Sequence, residues 1–187
     1  NIIYLLKLRG KKMILTVFLS IVICAAVSLM MIAGIAFIQD VKMFSSAPKD
    51  ARKVLQPREK ELFYGARAIG WVLMVFSLLL ILGSLFVALW DGFRNDFTFW
   101  QFFIRLVMMF SIYKVFDMIF FDYFLLIKFQ FFQHYFPEVK PVFEGKKYGF
   151  NIVSQLLKLL VIFPLVSALL AFVLSYILDF VISRLPF

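Results

Sequence analysis

The chain has 187 residues, 64% of them hydrophobic and 26 of them Phe, far more apolar side chain than one soluble core can bury; soluble domains carry roughly 45–50%. A net charge of +9, from 20 Lys and Arg against 11 Asp and Glu, would suit nucleic acid in a soluble protein. Here the basic residues flank apolar spans and leave no basic surface once the spans are removed, which points to anionic lipid and excludes nucleic acid.

One cysteine, Cys24, excludes an intramolecular disulfide, and with a single histidine, His134, no zinc, haem or iron–sulfur site is expected from this chain alone. No cofactor is expected. Length leaves room for a single transmembrane domain over 1–187, all-α and polytopic, with about four transmembrane helices and a long third one. The sequence opens on Asn1 rather than Met, so that residue is not taken as the start of translation.

The first span is predicted over Met13 to Ile38, free of charge and preceded by Lys7, Arg9, Lys11 and Lys12. Its apolar run exceeds the roughly 7–15 residues of a signal-peptide core. Pro48, directly after Ser45-Ser46-Ala47, speaks against cleavage there. The connection that follows, about 39–67, holds Pro48, Pro57 and seven basic residues: Lys42, Lys49, Arg52, Lys53, Arg58, Lys60 and Arg67. Within it Pro57-Arg58-Glu59-Lys60-Glu61 has the form of a helix start, with Pro first and acids in the first turn. Lys49, Arg52, Lys53, Arg58 and Lys60 are the residues expected to meet anionic headgroups.

The second span is predicted over about 68–90, closed by Trp90-Asp91, and a short connection near 91–97 makes the next span its antiparallel neighbour. The third region opens on Thr98-Phe99-Trp100-Gln101, the Thr-x-x-Gln form of a capping box. Helix pattern then runs without a breaker to Pro137. A helix over 98–136 would be about 58 Å long, nearly twice a hydrocarbon core of about 30 Å. It must project, tilt strongly or break, with a bilayer segment near 98–128. The fourth span is predicted over about 155–180, after a connection holding Pro137, Pro141, Lys140, Lys146 and Lys147.

Orientation follows from the connections. With the amino terminus outside, the first and third connections face the cytoplasm with ten basic residues, against the four in the tail and Arg94 outside. The amino and carboxyl termini are therefore both placed outside.

Ionisable groups at membrane depth are the main candidates for chemistry. The third region carries Arg105, Lys114, Asp117 and Asp122, and each such group costs roughly 2.5–3.5 kcal/mol at a helix centre. On an α-helix Lys114 and Asp117 share a face and can neutralise each other. Asp122 falls about 140° around from Asp117, which disfavours an aligned pair of acids. Arg105, near the helix start, can reach the interface by snorkelling. These residues suit either a polar path through the membrane or an internal ion pair with a contact to a neighbour. His134 and Glu138 are four apart, but Pro137 intervenes, and no metal site is expected. Small residues recur every four positions at Ser167, Ala171 and Ser175, and at Ser20, Cys24 and Ser28, a pattern for close helix packing, most simply within the chain.

The order Phe116-Asp117, Phe121-Asp122, Phe132, Pro137-Glu138 and Tyr148-Gly149-Phe150 resembles uncharacterised small four-helix integral membrane proteins of Gram-positive bacteria, over roughly 65–175. The resemblance implies a bacterial cytoplasmic membrane and assigns no activity. No residue is read as catalytic, since phosphate-binding loops and the common hydrolase and metalloprotease motifs are absent. The expectation is a small non-catalytic subunit or accessory protein of a larger membrane complex, such as a transporter, with another membrane protein or a further copy of itself as partner. Two alternatives stand beside it. One is a self-contained transporter or channel using Lys114, Asp117 and Asp122. The other is an intramembrane enzyme acting on lipid or peptide, with Asp117, Asp122 or His134 as acid or base.

Overall fold

A computed structural model describes the backbone of residues 2–44, 49–147 and 152–184, and the side chains of 13–42, 49–147 and 152–177. The side chains of Lys7, Arg9, Lys11 and Lys12, the Ser45–Pro48 stretch and Tyr148-Gly149-Phe150 lie outside the described residues.

Every described element is helical. Helix α1 (Ile2–Ile32) continues as a π-helical turn over Ala33–Ile38, and α2 (Lys49–Val54) lies in the first connection. Helix α3 (Ala66–Arg94) is followed by α4 (Phe99–Phe116), which continues as a π-helix over Asp117–Lys128. Short helices α5 (Phe131–Tyr135) and α6 (Lys140–Phe143) precede α7 (Ile152–Leu157), a π-helical turn over Lys158–Ile162, and α8 (Phe163–Arg184).

Three of these stretches are long and apolar enough to cross a membrane: Met13–Ile38, Ala66–Arg94 and Ile152–Ile177. Large apolar side chains such as Phe18, Leu79, Phe86, Leu169 and Phe172 stay exposed along them. A helix apolar on every side finds its solvent in lipid. The protein is an all-α, multi-pass membrane protein.

The third apolar region is not among the three. The helical pattern that runs without a breaker to Phe136 breaks instead at Lys128, one of the outcomes its length allowed, and Gln130 stands in the left-handed region at φ 51°. The end is capped rather than frayed. The Phe129 N–H donates to the Phe124 carbonyl at 2.8 Å, and Gln133 Nε2 donates to the Leu126 carbonyl at 2.7 Å. These bonds satisfy carbonyls that a helix end leaves without partners. A break therefore resolves the excess length, and no proline is needed to make it.

A further correction concerns the approach to the second span. The Pro57–Glu61 stretch is not helical, and α3 begins only at Ala66, after Gly65 at φ 84°. In the last span, Pro164 is the second residue of α8, just after the π-helical turn Lys158–Ile162. Proline lacks an N–H and its ring crowds the carbonyl four residues back, and the wider turn makes room for both.

The chain forms two compact units: residues 1–23, 82–115 and 153–187, and residues 24–81 and 116–152. In the first unit, the close of α3 and the opening of α4 form a helical hairpin. Its turn shows one half of the expected capping box, with the Thr98 N–H donating to Gln101 Oε1 at 3.0 Å, while the Gln101 N–H donates to the Thr98 carbonyl rather than to its hydroxyl. Gly92 permits the approach of the two helices, because a Cβ there would run into the Phe102 ring. Phe97, Phe102, Leu106 and Ala171 form one buried cluster, and Leu19, Ala88 and Met109 another. Ser20, Ser167 and Ala171, predicted as small contact positions, are fully buried by the chain itself.

In the second unit, Ile35, Leu55, Phe132, Phe136, Val139 and Phe143 pack into one core. Burying a large apolar side chain contributes roughly 1.5–3 kcal/mol, so this core ties the short helices after the break to the first connection. At Gly70 a Cβ would lie 2.7 Å from Ile38 Cγ1 and 3.1 Å from the Ile38 nitrogen. The start of the second span thus rests directly on the end of the first.

Candidate functional site

Polar groups are rare in this chain, and buried or part-buried charged residues stand out at three places. The first belongs to the hairpin of the first unit. Arg105 projects from the second turn of α4 and is only 4% exposed. Its Nη2 donates to Asp91 Oδ2 at 2.7 Å, its Nη1 to the Ala88 carbonyl at 2.7 Å, and its Nε to Thr16 Oγ1 at 3.2 Å. The guanidinium also lies over the Phe97 ring, 4.4 Å from its centroid. Asn95 Nδ2 donates to Asp91 Oδ1 at 3.0 Å, which steadies the carboxylate.

The expectation that Arg105 snorkels outward is corrected. A buried guanidinium needs its charge and its donors met locally, and the hairpin together with Thr16 of α1 meets both. Sequence reasoning passed over Asp91 as the partner, although the short turn at 95–98 returns the chain to the same depth on both helices.

Lys114, in the last turn of α4, is 6% exposed and engaged with neighbouring groups. Asp117 opens the π-helix and is part-buried, whereas Asp122 is 7% exposed; both are engaged as well. The angular argument that kept these two acids apart assumed α-helical geometry. In a π-helix the bonds run from i+5 back to i, and the slower winding narrows the angle between positions 117 and 122.

The third place lies in the second unit. Arg58 Nη2 donates to Glu138 Oε2 at 2.7 Å and to the Tyr135 carbonyl at 3.1 Å, and the Gln56 N–H donates to Glu138 Oε1 at 3.2 Å. Its guanidinium also sits 5.2 Å from the Phe136 ring centroid. Arg67 Nη2 donates to the carbonyls of Arg58 and Glu59. Beside them opens a pocket of about 250 Å³, walled by Ile38, Asp40, Pro57, Arg58, Arg67 and Trp71 among others.

Of the residues expected at lipid headgroups, Lys49, Arg52, Lys53 and Lys60 are exposed. Lys53 stands 4.0 Å from Asp50 in a pair open to solvent, a contact worth little. Arg58 differs from the rest, because Glu138 already answers its charge. His134 is exposed and rests edge-on to Tyr135, while Glu138 is turned to Arg58.

No protein-family model, curated protein or solved structure matches this chain at significance. The geometry alone carries the functional argument.

Proposed function

We propose that the protein is a small, non-catalytic subunit or accessory protein of a larger membrane complex, such as a transporter, in the cytoplasmic membrane of a bacterium. The observation that carries this reading is the fate of Arg105. The most deeply buried arginine among the described residues is consumed within the protein, with a carboxylate and a carbonyl of its own hairpin and a hydroxyl of α1 all directed at it. Such a node sets helix register and leaves its charge unavailable to a ligand. Long apolar faces meanwhile remain uncovered on all three spans, available to lipid and to a partner helix. The exposed Lys49, Arg52, Lys53 and Lys60 suit contact with anionic lipid, at roughly 1 kcal/mol each near a charged surface.

The test is native mass spectrometry of the protein released gently from its own membrane. A mass of this chain plus a different subunit is expected. The chain alone, carrying activity as a monomer, would overturn the proposal.

A second reading is favoured by one specific feature. Twelve residues of π-helix, Asp117–Lys128, carry two acids inside an apolar segment, and π-helical turns occur often at functional sites. A proton path would use these two acids. Proteoliposomes with an imposed potential and an internal pH dye would read it, and equal proton flux in wild type and in Asp117→Asn and Asp122→Asn variants would dismiss it.

A further inference from the structure

We infer that the pocket beside Arg67 holds the headgroup of an aminophospholipid, with the phosphodiester on Arg67 and the primary ammonium on Asp40. Three observations carry this.

The first is the charge inventory. Glu138 neutralises Arg58, which leaves two charged residues in the pocket wall with no ion pair among the described residues. Among the described residues, Arg67 meets only the carbonyls of Arg58 and Glu59, and Asp40 receives only the Lys42 backbone N–H at 2.9 Å. A part-buried cation and a carboxylate that share a pocket without touching fit a ligand that carries both charges at separate points. Guanidinium suits the phosphodiester because its planar fork matches two oxygens.

The second is depth. Ile38 closes the first span and Ala66 opens the second, so the connection between them emerges at a single face of the bilayer. Trp71, half exposed, lies one turn into the second span, where indole rings collect at the headgroup level. Leu62, Phe63 and Tyr64 form an exposed apolar tip in the same connection, with Tyr64 fully exposed, as a loop dipping into lipid requires.

The third is size. About 250 Å³ is below the span of a pocket for a whole drug-sized ligand and suits a headgroup whose acyl chains lie outside, along Trp71 and the uncovered helix faces. The headgroup amine follows by elimination. A purely anionic headgroup would set its charge against Asp40, and a quaternary amine has no hydrogen to donate. A primary amine meets both demands.

The experiment titrates the full chain in mild detergent with phosphatidylethanolamine, phosphatidylglycerol and phosphatidylcholine of identical acyl chains, reading retained lipid by native mass spectrometry. One phosphatidylethanolamine is expected, held at least five-fold more tightly than the other two. Arg67→Gln is expected to weaken it at least ten-fold, whereas Lys140→Gln, an exposed change outside the pocket, leaves it as in wild type. Arg67 also tethers the loop at Arg58, so the decisive variant is Asp40→Asn, which keeps an acceptor for the Lys42 N–H. It should abolish the preference for phosphatidylethanolamine over phosphatidylglycerol while leaving lipid bound. Equal or better retention of phosphatidylglycerol by wild type would overturn the inference, as would an unchanged preference in Asp40→Asn. Soluble glycerophosphoethanolamine bound as tightly as the lipid would also overturn it, because the source would then not be the bilayer.

Discussion

Changing Asp91 to Ala strands a cation. Arg105 is 4% exposed and would keep only the Ala88 carbonyl and Thr16 Oγ1 as partners. Removing one partner of a buried ion pair costs about 3–5 kcal/mol, because the other charge is left uncompensated. Asp91 itself is 25% exposed, so water can approach that side and the lower end of the range applies. For a chain of this length each kcal/mol shifts the unfolding midpoint by about 2–4 °C, which gives a fall of about 6–12 °C. Trp90 adjoins Asp91, and the chain has three Trp in all, so tryptophan fluorescence during heating in mild detergent reports the transition. The double variant Asp91→Leu, Arg105→Met should recover most of the loss, since apolar replacement of a whole buried pair is often neutral. A midpoint for Asp91→Ala within about 2 °C of wild type would refute the reasoning, as would a double variant less stable than Asp91→Ala alone.

Two more predictions follow from packing and charge. Gly92→Ala should lower the same midpoint, at a cost of about 1–3 kcal/mol for overpacking against Phe102. Gly83→Ala, whose added Cβ meets nothing within 4 Å, should leave it unchanged or raise it slightly. A single cysteine at Lys53, in a Cys24→Ser background, should react with a membrane-impermeant maleimide only after the cell membrane is opened, and one at Arg94 should react on intact cells. The reverse pattern would place the amino terminus inside.

Much of the fold was legible because lipid imposes a simple rule. Charge-free runs long enough to cross hydrocarbon are visible by counting, and the helices over Met13–Ile38, Ala66–Arg94 and Ile152–Ile177 follow the predicted spans closely. Thr98 and Gln101 were legible for a related reason, since a capping box is made by residues three apart and needs no distant partner. The candidate sites were less legible. Lys114, Asp117 and Asp122 stand out by composition, yet their angular relation depends on whether the segment winds as an α- or a π-helix, and residue types do not reveal that. Arg67 and Asp40 looked like ordinary members of a charged connection. Only the fold brings them to one pocket wall.

The sequence by itself determined that this chain lives in a membrane as helices, because burying so much apolar surface and satisfying every backbone group in lipid leaves few alternatives. It also determined which residues are too costly to leave bare at membrane depth. Tertiary structure alone decided how those residues are satisfied: Arg105 by Asp91 across a hairpin, Arg58 by Glu138 from 80 positions away, and the long third region by a break at Gln130. The physical reason is range. Hydropathy and capping act over a few neighbouring residues, whereas the partner of a buried charge is whichever group the packing of distant helices brings within about 3 Å.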